Sequence, residues 1–429
     1  MKKGKGTMRL SLRASNSAWT LAALIAVTVA VPACGSAEDP NGGRDGTDGT
    51  DTPGANDPNG GGQSRSTPEE EIRKILDQRK ADYGEALRTA SLKLADRLPT
   101  MEQIKRIENA ADDNAKKAAY EAMVDEMIAA PEFSRVMIKF WKDTFRIGQV
   151  GNVQNNVNRD GAPNFAAQVT VEGRSYTELL TATENTCPTY DGDQNTFTPA
   201  PCGAPDNAVA GPTVGVLTDP GLQAQYFANM AFRRVRFVQE TFVCNKFPAE
   251  FSSEAAVPMG AGAYTAAMPF KSITGKENKP DAKVDFHDTK AVICANCHAN
   301  LNHVAPLFLN WDENGALRNG PQVKVPIPGE PNAQRIDYLP EGEGLAWRAG
   351  KPLTDMASLG AAMAADPDIP RCAVNRVWNY AMSRGDIVND LASVPNVVTQ
   401  PFVDKFTAGG MKFKETIRDV FKSEDFTKF

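Results

Sequence analysis

Histidine is the scarcest chemistry-bearing residue in this chain: His287, His298 and His303 are the only three in 429 residues. With so few, no Ser-His-Asp set and no metalloprotease motif can be read. Positive charge is not in excess either. Lys and Arg number 47 against 53 Asp and Glu, a formal net charge of −6, and no basic stripe runs through the chain. That argues against nucleic acid as a partner. Long apolar runs are missing too: Trp19–Val31 is too short to span a bilayer.

That short run has a basic leader, with Lys2, Lys3, Lys5, Arg9 and Arg13 ahead of it. Residues 1–33 therefore read as a secretory signal peptide. Val31-Pro32-Ala33-Cys34-Gly35 resembles a bacterial lipobox, where cleavage leaves Cys34 as a lipidated N-terminal residue. A free Cys beside an ordinary cleavage site is the alternative. Two or three acyl chains bury enough methylenes to hold a protein durably at a membrane. Residues 34–66 then read as a disordered tether. Nine of residues 35–66 are Gly and most others are Asp, Asn, Thr, Ser or Pro, so little apolar surface could be buried. The expected location is the cell envelope, outside the cytoplasm.

The chemistry gathers at Cys294-Ala295-Asn296-Cys297-His298. In an exported chain, C-x-x-C-H reads as a c-type haem attachment site. Two thiols add across the two porphyrin vinyl groups, and two intervening residues set the distance between those bonds. The next residue, His298, can then supply an axial nitrogen to the iron. A zinc site built from Cys294, Cys297 and two of the three His is one alternative; a disulfide or redox pair is the other. The sixth ligand is not readable. Met356 lies 58 residues after His298 and is the foremost candidate, with Met259, Met268, Met363, Met382, His287 and His303 as rivals. An open position is also compatible.

The flanks are patterned for helices. Thr67-Pro68-Glu69-Glu70 combines an N-cap, Pro at the first helical position and an acid two residues on. Ile72, Ile75, Leu76, Tyr83, Leu87 and Leu94 recur at helical spacing until Leu98-Pro99-Thr100 breaks the run. Thr100 and Gln103 form a second capping box. Later helices carry Met123, Val124 and Met127, then Phe133, Val136, Met137, Phe140, Trp141 and Phe145; these stripes read as core. Residues 148–215 lack periodicity and read as an irregular excursion. Residues 214–247 recover order through Phe227, Met230, Val235, Phe237, Val238 and Phe242, with Arg233, Arg234 and Arg236 as a solvated basic face or as haem-propionate partners.

Several phrases follow one another in a known order: Ala95-Asp96-Arg97-Leu98-Pro99-Thr100, Ala130-Pro131-Glu132-Phe133, Phe140-Trp141-Lys142-Asp143, the C-x-x-C-H, Val374-Asn375-Arg376-Val377-Trp378, and Ile417-Arg418-Asp419-Val420. Together they resemble the planctomycete-type cytochrome c family, exported bacterial proteins of unknown function. In that family a C-x-x-C-H haem segment is flanked by helical domains. The resemblance covers about 67–147 and 214–429. Asn302-His303 and Trp311 stand where the family has Asp-Pro and Phe. Phe308, Leu307 and Trp311 would cover a porphyrin face.

Four Cys remain after Cys34, Cys294 and Cys297: Cys187, Cys202, Cys244 and Cys372. Exported chains tend to pair such thiols, and four allow three connectivities. Cys187 and Cys202 share one excursion, so Cys187–Cys202 and Cys244–Cys372 is the expected pairing, with two buried free thiols as the alternative to the second. The expected fold is mainly α: a helical N-terminal domain at 67–147, the excursion at 148–215, a haem-binding segment with its preceding helix at 216–350, a helical C-terminal domain at 351–429, and long irregular loops. The expected function is electron transfer by a lipid-anchored monohaem cytochrome carrying haem c. Its partners would be a membrane, through the anchor, and other exported redox proteins. A haem peroxidase or oxidase with an open sixth position, or a non-redox surface module stapled by zinc or disulfides, are the alternatives.

Overall fold

Local signals decide where the first four helices begin. A computed structural model describes residues 67–147, 157–227, 231–245, 301–323, 344–386 and 393–429. The signal, the tether, Cys34, Met259, Met268, His287 and the whole of Cys294–His298 lie outside the described residues. At the start of α1 (Pro68–Gln78), Glu70 N donates to Thr67 Oγ1 and Thr67 N donates to the Glu70 carboxylate. Helix α3 (Met101–Glu108) has the expected reciprocal box between Thr100 and Gln103. Asp112 caps α4 (Asp113–Ala129) by accepting from Ala115 N. Each such bond satisfies an N–H that the helix cannot pair internally.

One break was not expected. The apolar spacing runs through residues 72–94, yet the chain divides it into α1 and α2 (Tyr83–Ala95). Asp82 is the reason: its carboxylate accepts from Gly84 N and Glu85 N and starts a new helix. The chain end straps the gap. Lys80 N donates to Phe429 O, Asp82 N to Thr427 O, and Arg79 pairs with Asp425 at 3.0 Å. Ile75, one of the residues in that helical spacing, is 63% exposed.

Beyond α5 (Phe133–Phe145) the structure departs from the expected excursion. Residues Gly161–Val171 form α6, followed by a short α7 (Glu178–Thr181) and a hairpin of β1 (Thr189–Asp191) and β2 (Thr196–Thr198), antiparallel with Tyr190 opposite Phe197. Helix α6 is buried from Gly161 to Thr170. A helix covered on all sides needs no amphipathic period, so none is visible in its sequence. It lies along α5, where Trp141 Nε1 donates to Thr170 Oγ1 at 3.0 Å. Next come α8 (Pro220–Gln225) and α9 (Phe232–Val238), and then α10 (Met356–Ala364), α11 (Asp368–Ala381), α12 (Asn396–Ala408), α13 (Phe413–Phe421) and α14 (Glu424–Thr427). A second small hairpin pairs β3 (Ala346–Trp347) with β4 (Lys351–Pro352). The described residues are mainly helical, as expected.

The N- and C-terminal flanks share one core within the compact unit Arg65–Phe429. Tyr120 OH donates to Phe421 O at 2.6 Å. Phe140 meets Tyr380 edge-on at 5.1 Å between ring centroids, and Trp141 meets Phe413 at 5.3 Å. Aromatic side chains bury large apolar areas, so this cluster ties the two flanks together by burial.

Candidate haem segment and its supports

The stretch 246–300 carries Cys294, Cys297 and His298. It follows directly on Cys244-Asn245 and leads directly into Leu301, both of which the structure describes. Helix α9 continues into a π-helical turn, Gln239–Val243, which ends at Cys244 in a left-handed conformation (φ 60°). Cys244 is disulfide-bonded to Cys372 of α11, Cα to Cα 5.3 Å. Arg376, one turn further along α11, donates to Thr241 O at 2.6 Å. Buried Glu240 accepts from Arg236 at 2.7 Å and from Arg146 at 3.2 Å. The turn ahead of the motif is thus held covalently and by three guanidinium groups.

On the far side, Leu301, Asn302, His303 and Val304 are buried, and a 3-10 turn follows at Ala305–Phe308. Phe308 and Trp311 are buried as well and meet at 6.3 Å between centroids; Leu307 is half-buried. Trp311 and Leu317 then form a β-bridge around a tight loop organised by Asp312. Asp312 Oδ1 accepts from Asn314 N and Ala316 N, both at 2.9 Å, and Oδ2 from Arg318 at 2.6 Å. Gly315 turns the loop with φ +70°, and a Cβ there would lie 1.9 Å from Pro220 O. Only glycine suits both the conformation and the space.

Arg234 corrects the solvated reading at its own position: the residue is 1% exposed and its donors go to backbone carbonyls. It donates to Gln223 O at 2.7 Å, Phe308 O at 2.9 Å, Trp311 O at 3.0 Å and Asp312 O at 3.1 Å. Burial pulls its pKa down to about 9, which leaves it charged at neutral pH. A buried cation is tolerated when its donors are met, and here the fork binds three carbonyls of the post-motif segment to one of α8. Arg233 and Arg236 on the same helix are exposed.

The remaining sequence-derived residues are placed as follows. Met356 begins α10, 4% exposed, on a helix that packs against α7 and the 3-10 turn Gly215–Thr218. Met363 is buried in the same helix and Met382 is half-buried after α11. Their relation to His298 lies outside the described residues. Cys187 and Cys202 are bonded, Cα to Cα 4.7 Å, and both disulfides are the pairs expected. One site was missed. Asp219 is 1% exposed and its Oδ2 lies 3.2 Å from Cys187 Sγ. The sequence shows it only as the N-cap before Pro220; its burial and its neighbour come from distant parts of the chain. Cys187, Cys202 and Asp219 offer atoms within 4.8 Å of one another, a metal-like spacing. Cysteine binds a metal as its thiolate, and here both sulfurs are spent in the disulfide.

No curated protein and no solved structure matches the chain. Residues 69–180 match the family model PSCyt2, described as a protein of unknown function (DUF1549). The match takes in the helical phrases from Ala95 to Asp143 and runs on through α6, the buried helix that no periodicity announces.

Proposed function

We propose that this chain is an exported, lipid-anchored monohaem c-type cytochrome that passes single electrons between other exported redox proteins. The observation that carries the reading is the donor set Cys294, Cys297 and His298 in its C-x-x-C-H spacing. Two thiols and an imidazole are the groups a covalently attached haem requires. Bound there, a haem would supply the one-electron couple. The chain's own part is to brace the segment on both sides: Cys244–Cys372 and Arg376 before it, Arg234 and the Asp312 loop after it. A rigid surround limits reorganisation around a redox centre. Two disulfides are compatible with an oxidising, exported setting. Cys34 would supply the anchor.

The test is expression in a bacterial strain with cytochrome c maturation. Wild type should stain for haem on a denaturing gel, and Cys294→Ala with Cys297→Ala should not. Staining that survives the double change, or haem-free wild type with stoichiometric zinc, would overturn the attachment site. A high-spin spectrum would move the reading from transfer toward peroxidase-type chemistry. For the anchor, Cys34→Ser should release the protein from membranes or block its processing. Wild type recovered soluble without acyl mass would sink that part alone.

A further inference from the structure

The Cys187–Cys202 disulfide differs from Cys244–Cys372 in what surrounds it. Cys187 and Cys202 line a cavity of about 740 Å³ whose rim includes Pro220, Asn314 and Arg318. Cys187 is 9% exposed, and Cys202 is the more open of the two. Each sulfur has a proton-bearing side chain beside it. Buried Thr186 places its hydroxyl 3.3 Å from Cys202 Sγ. The Asp219 carboxyl lies 3.2 Å from Cys187 Sγ. A disulfide sulfur has no proton to give, so a hydrogen bond in this contact takes its proton from the carboxyl. The local chain makes room for the meeting: a Cβ on Gly161 would lie 2.7 Å from both Asp219 Oδ2 and Cys187 Sγ. Leu222 N donates to the other oxygen, Oδ1, at 2.8 Å, the N–H groups of Gly221 and Ala162 also bond the carboxyl, and Oδ2 is the oxygen beside the sulfur. Burial favours the protonated acid and lifts its pKa to about 7.

We propose that Cys187–Cys202 is a thiol-exchange site, opened by a dithiol reductant that attacks Cys202 from the cavity while Asp219 protonates the departing Cys187. The reductant's thiolate forms a bond to Cys202 Sγ, and the Cys187–Cys202 bond breaks. Cys187 leaves with the electron pair and takes the Asp219 proton, which gives a mixed disulfide, a Cys187 thiol and an Asp219 carboxylate. The reductant's second thiol then displaces Cys202 and closes its own disulfide. Asp219 and Cys202 regain protons from solvent. In sum, two electrons and two protons pass from the dithiol to the pair. Exchange rates depend on the leaving thiol and on access to the sulfur attacked, and the cavity and Asp219 provide one of these each. This inference goes beyond the haem reading and does not depend on it.

The experiment uses the full chain, folded, at a pH below neutrality. Dithiothreitol is added, aliquots are alkylated, and all four Cys are followed by peptide mapping. Cys187 and Cys202 should become alkylated at least about 10-fold faster than Cys244 and Cys372, and Asp219→Asn should slow only that pair, by about 10-fold. Asn keeps the helix cap, and circular dichroism confirms the fold. Equal opening of the two pairs in wild type overturns the proposal, as does an Asp219→Asn protein that opens as fast as wild type. Should that variant not fold, the wild-type comparison decides. Loss of haem attachment leaves all of these outcomes intact.

Discussion

Arg233, Arg234 and Arg236 look alike in sequence, yet only Arg234 is enclosed, because α9 turns that one position toward the carbonyls of Phe308, Trp311 and Asp312. Arg234→Met keeps much of the volume and removes every donor. Buried carbonyls left without partners cost roughly 1–3 kcal/mol each where water cannot reach them, so a loss of about 3 kcal/mol or more is expected in urea unfolding. A loss below about 1 kcal/mol would mean the clamp is dispensable. Arg236→Met, at an exposed position whose buried partner Glu240 keeps Arg146, should cost less, about 1 kcal/mol. Asp219 gives a residue-scale prediction in pH. Burial lifts its carboxyl from 3.8 to about 7, and the N–H groups of Leu222, Gly221 and Ala162 pull it only part of the way back. The folded pKa is the raised one, so between these values the native chain holds a proton that the unfolded chain has released. Its contribution is full below the unfolded pKa and is lost as pH rises through the folded one. Wild type should therefore lose stability against Asp219→Asn as pH rises from about 4 to 7. Urea midpoints of the two proteins that stay parallel across that window would contradict the burial argument.

Among the elements, the caps behave as their sequences say. Thr100→Ala removes one half of the box that starts α3 and should cost about 1 kcal/mol. The two disulfides differ in the length of chain they close. In the chain-entropy view, closing 15 residues contributes about 3 kcal/mol and closing 128 about 5. Replacing Cys244 and Cys372 by Ala should thus destabilise more than replacing Cys187 and Cys202, by about 2 kcal/mol in calorimetry or denaturant unfolding. The reverse order would show that loop length does not govern these bonds.

For the molecule as a whole, the flanks do not stand as separate domains. Helix α4 meets α13 through Tyr120 and Phe421, and α5 meets α11 and α13 through Phe140, Trp141, Tyr380 and Phe413. The segment 67–147 alone would leave Trp141 and Phe140 without these partners. It should therefore show no cooperative unfolding transition, whereas a chain covering 67–429 should. A sharp melt of the isolated segment would refute the shared core.

Sequence alone determined the helical class, the boxes at Thr67 and Thr100, the strong core stripe from Phe133 to Phe145, and the pairing of four cysteines. These are legible because caps and helical faces act over three or four residues. The expected cysteine pairing followed from an even count and from Cys187 and Cys202 sharing one segment, and the structure forms both bonds. Tertiary structure alone decided that the returning C-terminus straps residues 79–82, that α6 is a helix at all, that Arg234 and not its neighbours is enclosed, and that Asp219 faces Cys187. Each of these depends on what lies across the fold: the returning C-terminus at residues 80–82, α5 over α6, the segment 308–312 over α9. Burial is set by distant chain, and no local pattern records it.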